Sequence, residues 1–311
     1  MLIGAVTAPV LLALAFAGFL WSASGQLLFP SWKGATRDLA HCPPALEAAW
    51  GPACGNLRVS SALRFREVSV PSLNGHALPG WLVGAAENGA GPAAGAILLV
   101  HGGGGDRREM TRRIRPFLDR HLDVLTVDLT CAGEAPCPVP GLSYGGREAR
   151  DVLSAYLFLA RDHARVLALG NSVGATSVLL ALPGMPGLAA AILENPAPPF
   201  DQLITEAPEA RSVPGWMLRA LIGLAKLRGR FDALPDPASA LRLAGPAPVW
   251  FVHARHDAVI PWQRTEALAA QRRGTDAAWI SEAGDHGVVW DADRGGYEAR
   301  LDAFLGRALS R

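Results

Sequence analysis

Lysine is almost absent from this chain: among 311 residues it occurs only at Lys33 and Lys226, and arginine carries the rest of the positive charge. The arginines are scattered among acids and the formal net charge is +1, which excludes a surface built to attract nucleic acid or another polyanion. This bias reads as a genomic composition preference rather than a phosphate-binding device. The one local cluster, Arg107, Arg108, Arg112, Arg113 and Arg115, is expected to form a solvated face of a helix. Cysteine is scarce as well, with four residues, no C-x-x-C spacing and no accompanying histidine cluster, so no metal site and no cofactor is expected. His253 and His256, three apart at a strand end, do not share a face and make a poor metal pair. The dinucleotide fingerprint G-x-G-x-x-G is missing too: counted from Gly102 its sixth position is Arg107, and from Gly103 it is Arg108.

Charge is missing altogether from Leu2 through Trp21, a length that matches the roughly 20 residues a helix needs to cross a bilayer core. No Lys or Arg precedes this run, and it exceeds the apolar region of about 7–15 residues usual in a signal peptide. Residues 1–21 are therefore expected to anchor the protein in a membrane, with cleavage near Ser22-Ala23-Ser24 as the alternative. Lys33 and Arg37 follow the run, which favours a cytoplasmic catalytic domain. The cysteines argue for the other side. They fall into two local pairs, Cys42 with Cys54 and Cys131 with Cys137, and an even number at short separations is the pattern of disulfide-bonded exported domains. The expected location is the periplasmic or extracellular face; buried free thiols in the cytoplasm are the alternative.

The chain is not short of glycine, and one stretch uses it tellingly. Gly170-Asn171-Ser172-Val173-Gly174 follows the apolar run Val166-Leu167-Ala168-Leu169 and precedes a second apolar run from Ala175 to Leu182. Strand, sharp turn and helix make the setting in which a G-x-S-x-G serine becomes a nucleophile. Three more strand ends carry polar groups. Ala96-Ile97-Leu98-Leu99-Val100 ends in His101-Gly102-Gly103-Gly104-Gly105-Asp106; Val249-Trp250-Phe251-Val252-His253 leads to Asp257; and Ala278-Trp279-Ile280-Ser281 leads to His286. Each is a short buried-strand pattern, and the order Ser172, Asp257, His286 is that of a nucleophile, acid and base on one α/β sheet.

On these motifs the chain resembles serine hydrolases of the α/β-hydrolase superfamily, and within it small membrane-anchored bacterial hydrolases related to prolyl-oligopeptidase-type catalytic domains. The resemblance runs from about Arg64 to the C-terminus and includes the Asp128 segment, His253-x-x-x-Asp257-x-x-x-Pro261, and Gly284-Asp285-His286-Gly287-Val288-Val289-Trp290. It implies a mostly parallel central sheet with helices on both faces. It departs from the family after Asp128, where Leu129-Thr130-Cys131-Ala132-Gly133-Glu134 stands in place of an arginine and a G-x-G turn.

The expected organisation is an anchor over residues 1–21, a tether over 22–63 and a hydrolase domain over 64–311. The tether should be poorly ordered, with one short helix at Pro44–Ala49. The domain opens with an N-terminal β-hairpin turned at Asn74-Gly75 in a type I′ turn. Arg147 to Arg161 reads as an amphipathic helix, and residues 196–244 as a small helical cap; a helix packed on the sheet is the alternative for the latter.

Ser172 is then the nucleophile, His286 the general base and Asp257 the group that orients it. The backbone N–H of Val173, with that of Gly103 or Gly102, is expected to receive the oxyanion. Glu194 is the reserve acid, Asp285 stands too close to His286 in sequence to orient its ring, and His101 is expected to be structural. The expected reaction is hydrolysis of a small carboxylic ester or related acyl compound. An acyltransferase, a peptidase or a catalytically silent scaffold would use the same framework.

Overall fold

The computed structural model describes residues 2–231, 236–272 and 278–309. Eight strands form one sheet: β1 (Arg66–Pro71), β2 (Ala77–Val83), β3 (Gly95–Val100), β4 (Leu122–Val127), β5 (Val166–Asn171), β6 (Leu188–Glu194), β7 (Val249–Ala254) and β8 (Trp279–Ser281). Their order across the sheet is β1-β2-β4-β3-β5-β6-β7-β8. The first hairpin and the β2–β4 pair are antiparallel, and all later neighbours are parallel.

Every residue of β3, β5 and β7 is buried, because helices cover both faces and successive side chains enter opposite layers. Leu98 and Val100 point into a core with α4 (Gly146–Leu159), α5 (Val173–Ala181), α8 (Pro237–Leu243) and α9 (Gln263–Ala269). Ile97 and Leu99 point the other way, toward α3 (Ile114–Leu118), α10 (Val289–Ala292) and α11 (Arg294–Leu309). The strand runs and the α4 helix stand where the sequence patterns put them.

The hairpin turn differs from expectation. A type I′ turn needs two residues of positive φ, whereas only Gly75, at 83°, is left-handed here. Gly75 N–H instead donates to Ser72 O at 2.9 Å, and the Asn74 side chain is drawn away to donate to Asp151 Oδ1 and Arg147 O on α4.

The arginine cluster is not a solvated face. Arg107–Arg113 form a 3₁₀ helix in which Arg107, Arg108 and Arg113 are buried. Each has found an acid from elsewhere in the fold or close by: Arg107 with Asp128 at 2.9 Å, Arg108 with Asp106 at 2.8 Å, Arg113 with Glu194 at 2.5 Å. Of the five, only Arg115 stays half exposed, with a side-chain exposure of 50%. Buried guanidinium groups are tolerable only when paired in this way.

The segment expected to be a loose tether is folded. The N-terminal helix α1 continues past Trp21 and spans Leu2–Leu28. It is followed by α2 (Pro44–Trp50), close to the helix expected from sequence, and by a disulfide between Cys42 and Cys54. Leu39, Leu46, Trp50 and Cys54 are buried, and Arg108 donates to the carbonyls of Leu39 and His41 at 2.7 and 2.8 Å. These contacts hold residues 29–57 against the carboxyl end of the sheet. The second cysteine pair is also bonded, Cys131 to Cys137. It closes the loop after β4, where Asp128 accepts from Arg107 N and Glu134 N, both at 2.8 Å.

Between β6 and β7 the chain forms α6 (Phe200–Glu206), α7 (Gly215–Gly229) and α8. The first two build a separate apolar cluster around Tyr144, Phe200, Ile222 and Ala225 above the sheet. Ala240 and Leu241 of α8 instead join the sheet core. The raised part of the 196–244 insertion is therefore α6 and α7, while α8 is a layer helix.

Candidate active site

Ser172 occupies the turn between β5 and α5 with φ 53° and ψ −120°, a conformation costly for a residue bearing a Cβ. Close packing enforces it. A Cβ on Gly170 would lie 2.4 Å from Gly174 O, and one on Gly174 would lie 2.4 Å from His101 O. No side chain fits at either position, which is the physical reason for the G-x-S-x-G spacing. Ser172 N–H donates to Glu194 O at 2.8 Å, tying the turn to the end of β6.

Asp257 follows β7 and His286 follows β8, and the sheet brings both to the serine. His286 Nε2 lies 2.9 Å from Ser172 Oγ, and His286 Nδ1 lies 2.8 Å from Asp257 Oδ2. The carboxylate is tightly held: its Oδ1 accepts from Val259 N at 2.8 Å and Ile260 N at 2.7 Å, and its Oδ2 accepts from Asn195 Nδ2 at 2.6 Å. Burial pushes the Asp257 carboxyl up. Hydrogen bonds from His253 and His286, the charge of His286 and the Ile260 N–H outweigh it and hold the group far below the usual carboxylate range.

The competing residues are engaged elsewhere. Glu194 accepts from Arg113 Nη1 at 2.5 Å and from the Tyr297 hydroxyl, so it is not available to His286. Asp285 accepts from Ala258 N at 2.9 Å and shapes the loop. His101 bonds its own strand end, Nδ1 with Gly102 O at 2.8 Å and Nε2 accepting from Leu129 N at 3.1 Å.

The three expected oxyanion donors divide into two free groups and one occupied group. Gly102 N–H donates to Glu109 Oε2 at 3.1 Å and is taken. The N–H groups of Gly103 and Val173 have no hydrogen-bond partner among the described residues, and a Cβ built on Gly103 would lie 3.0 Å from Val173 Cγ2, so the two residues are direct neighbours.

Glu109 was invisible in the sequence. Its Oε1 accepts from Asn171 Nδ2 at 2.8 Å, so one buried carboxylate links the glycine run to the elbow. Asn195 was missed as well, since it reaches Asp257 from a strand end that carries no motif, and His253, quoted in the Asp257 segment without a role, lies with its Nε2 3.1 Å from Asp257 Oδ2. The serine opens into a recess of about 30 Å³ bordered by Trp32, Trp50, Arg112 and His286, roughly the space of one water molecule. Trp32 meets the His286 ring edge-on at 6.3 Å, and the Trp32 backbone N–H donates to Gly104 O at 3.2 Å. A larger cavity of about 240 Å³ lies beyond Gly102 and reaches Leu28 and Phe29 at the end of α1. Among the described residues no cluster of His, Cys, Asp or Glu could hold a metal ion.

Comparison with known proteins agrees with this architecture. The chain is 26% identical over 243 residues to the uncharacterized protein YqkD of Bacillus subtilis, covering 76% of this chain and 77% of that one. The Pyrococcus furiosus esterase Pf2001 superposes with a TM-score of 0.64 at 14% identity, over 79% of this chain and 93% of the esterase. An acylaminoacyl peptidase of Pyrococcus horikoshii superposes with a TM-score of 0.56 at 17% identity, over 80% of this chain and 42% of the peptidase. These two likenesses concern the fold. The profile of the Alpha/beta hydrolase family matches residues 97–310, more than half of the chain. The chain belongs to the alpha/beta hydrolase family and is a hydrolase.

Proposed function

We propose that this hydrolase cleaves a small carboxylic ester through an acyl-enzyme on Ser172. The observation that carries the reading is the unbroken hydrogen-bond chain from Ser172 Oγ through His286 to Asp257, with links of 2.9 and 2.8 Å. His286 Nε2 takes the serine proton as Oγ forms its bond to the ester carbonyl carbon, and Asp257 stabilises the resulting imidazolium. The oxyanion receives the N–H groups of Gly103 and Val173, each donor contributing on the order of 3 kcal/mol. Collapse expels the alkoxide, which takes the proton back from Nε2. Water then attacks the acyl-enzyme by the same route, releasing the acid and restoring the serine. The ester reading is further supported by the esterase among the structural relatives.

In this reading α1 is a retained membrane anchor. Its length and composition suffice for a span, and its last turns serve the folded body: Leu27 O accepts from the Tyr144 hydroxyl at 2.6 Å, and Leu28 O accepts from Leu142 N at 2.8 Å. Ser24, within the possible cleavage site, is fully buried. Two disulfides favour the periplasmic or extracellular side.

A series of p-nitrophenyl esters of increasing acyl length, assayed with wild type and Ser172→Ala, tests the proposal. Hydrolysis by wild type and none by the folded variant is expected. Equal turnover by both, or none by either, overturns it.

A further inference from the structure

A run of four glycines, Gly102 to Gly105, is the freest backbone a chain can contain, and the oxyanion hole depends on the direction of one peptide unit inside it. In the planar trans unit joining Gly102 to Gly103 the carbonyl and the N–H point opposite ways, so whatever holds Gly102 O also aims the Gly103 N–H. His101 Nε2 accepts from Leu129 N, which leaves the ring proton on Nδ1 to donate to Gly102 O at 2.8 Å, and Gly105 N donates to the same oxygen at 3.3 Å. Glu109 holds the other side of Gly102, its Oε2 accepting the Gly102 N–H at 3.1 Å. With both of its polar atoms held, Gly102 has neither backbone angle free. A Cβ on Gly105 would collide with Glu109 Oε2, so the run bends closely around this carboxylate.

Glu109 is a fixed post. It stands on the 3₁₀ helix whose Arg107, Arg108 and Arg113 are buried against Asp128, Asp106 and Glu194. Its second oxygen, Oε1, accepts from Asn171 Nδ2 at 2.8 Å, and Asn171 immediately precedes the nucleophile. The residue is 6% exposed and borders the recess that Gly103 and Ser172 also line. A carboxylate at this rim repels the oxyanion that forms beside it, so what it contributes to turnover is geometric.

We propose that Glu109 is the positioning residue of the oxyanion hole: it ties the glycine run to the nucleophile elbow and so keeps the Gly103 N–H directed at the spot the oxyanion will occupy. The proposal rests on the acyl-enzyme reading of Ser172. A glutamine can make the same tie. Its oxygen accepts from Gly102 N, and its NH₂ donates to Asn171 Oδ1 once the Asn171 amide turns over, an oxygen that has no partner among the described residues.

The test measures kcat and KM on a short p-nitrophenyl ester, and Ki for a trifluoromethyl ketone whose adduct with serine carries an oxyanion, using the full chain in detergent. Glu109→Ala is expected to lower kcat about 30-fold, less than the roughly 10²–10³ lost with a whole oxyanion donor. KM should stay within about twofold, because the tie matters only once charge develops, and Ki should rise in step with the fall in kcat. Glu109→Gln should recover most of the loss. Asn171→Ala, which cuts the elbow end of the tie, should lower kcat by up to about tenfold, and the double variant should be no worse than Glu109→Ala alone, since both act through one link. A folded Glu109→Ala chain with kcat and Ki near wild type overturns the proposal and leaves the acyl-enzyme intact. A change confined to Tm or KM makes Glu109 merely structural and overturns it too, as does a Gln variant as impaired as Ala. If Glu109→Ala fails to fold, Asn171→Ala decides, and unchanged kcat and Ki there overturn the tie. Wild type that neither turns over the ester nor acylates Ser172 overturns the underlying reading itself.

Discussion

Replacing Asp257 with Asn tests the electrostatic half of the site while preserving its shape. The wild-type carboxylate accepts on both oxygens, from Val259 N and Ile260 N on one and from His286 Nδ1 and Asn195 Nδ2 on the other. An asparagine can satisfy only one of these pairs. If its oxygen stays with the two backbone donors, its amide NH₂ faces Nδ1 and the Asn195 amide, and His286 is driven to the tautomer with its proton on Nε2. That tautomer donates to Ser172 and cannot accept from it. The imidazolium formed during attack also loses its counter-charge. The loss expected of a wrong tautomer is a factor of about 10⁴ in kcat, or about 5 kcal/mol of barrier. The assay is kcat/KM on a short p-nitrophenyl ester, with active-site concentration titrated independently and the fold checked by circular dichroism. Asn195→Ala removes one donor and leaves the tautomer, so it should cost only about 1–2 kcal/mol, roughly a factor of ten. An Asp257→Asn chain that is folded and within about tenfold of wild type would refute the assignment of Asp257, because no tautomer argument of this size could then hold.

Trp32→Ala should open the 30 Å³ recess at Ser172; if displacing the ring costs about 1 kcal/mol, the size of an aromatic pair, kcat/KM for long acyl chains rises about fivefold relative to acetate. An unchanged ratio would show that Trp32 does not close the site. Acid should loosen the loop after β4. The hydrogen bond from Arg58, opposed by burial and joined by the hydrogen bond from Arg107 and the charges of both arginines, lowers the Glu134 pKa from 4.5 to about 2. Its contribution is therefore present above pH 4.5 and lost as pH falls toward 2. Glu134 is about a third exposed, so the effect is screened and modest; Tm measured from pH 5 to 2 should fall less steeply for Glu134→Gln than for wild type, and parallel curves would contradict the linkage.

The sheet, and the strand ends that bring Ser172, His286 and Asp257 together, were legible because each depends on local signals: short apolar runs that need no partner to be recognised, each ending in a polar group that only a strand end can present. The buried arginines were not, because their acids come in part from distant segments. Arg113 meets Glu194 from 81 positions away, and no periodicity in residues 107–115 carries that fact. The same pairing removed Glu194 from the list of candidate acids. Gly102 looked like a donor to an oxyanion, and only the fold shows Glu109 occupying its N–H. Residues 22–63 read as loose by composition, yet Arg108 and the Cys42–Cys54 bond give them places on the body. The hairpin turn differs for a related reason: the φ preference of Asn74 points to a type I′ turn, while its side chain is held by α4.

The central claim is that Ser172 is the activated nucleophile, and peptide mass spectrometry after reaction with a fluorophosphonate tests it most directly. The account predicts one phosphonyl adduct per chain, on the peptide containing Gly170-Asn171-Ser172-Val173-Gly174, formed rapidly by wild type and slowed by the His286→Ala substitution by orders of magnitude. An adduct on another residue, or equally fast labelling without His286, would contradict it.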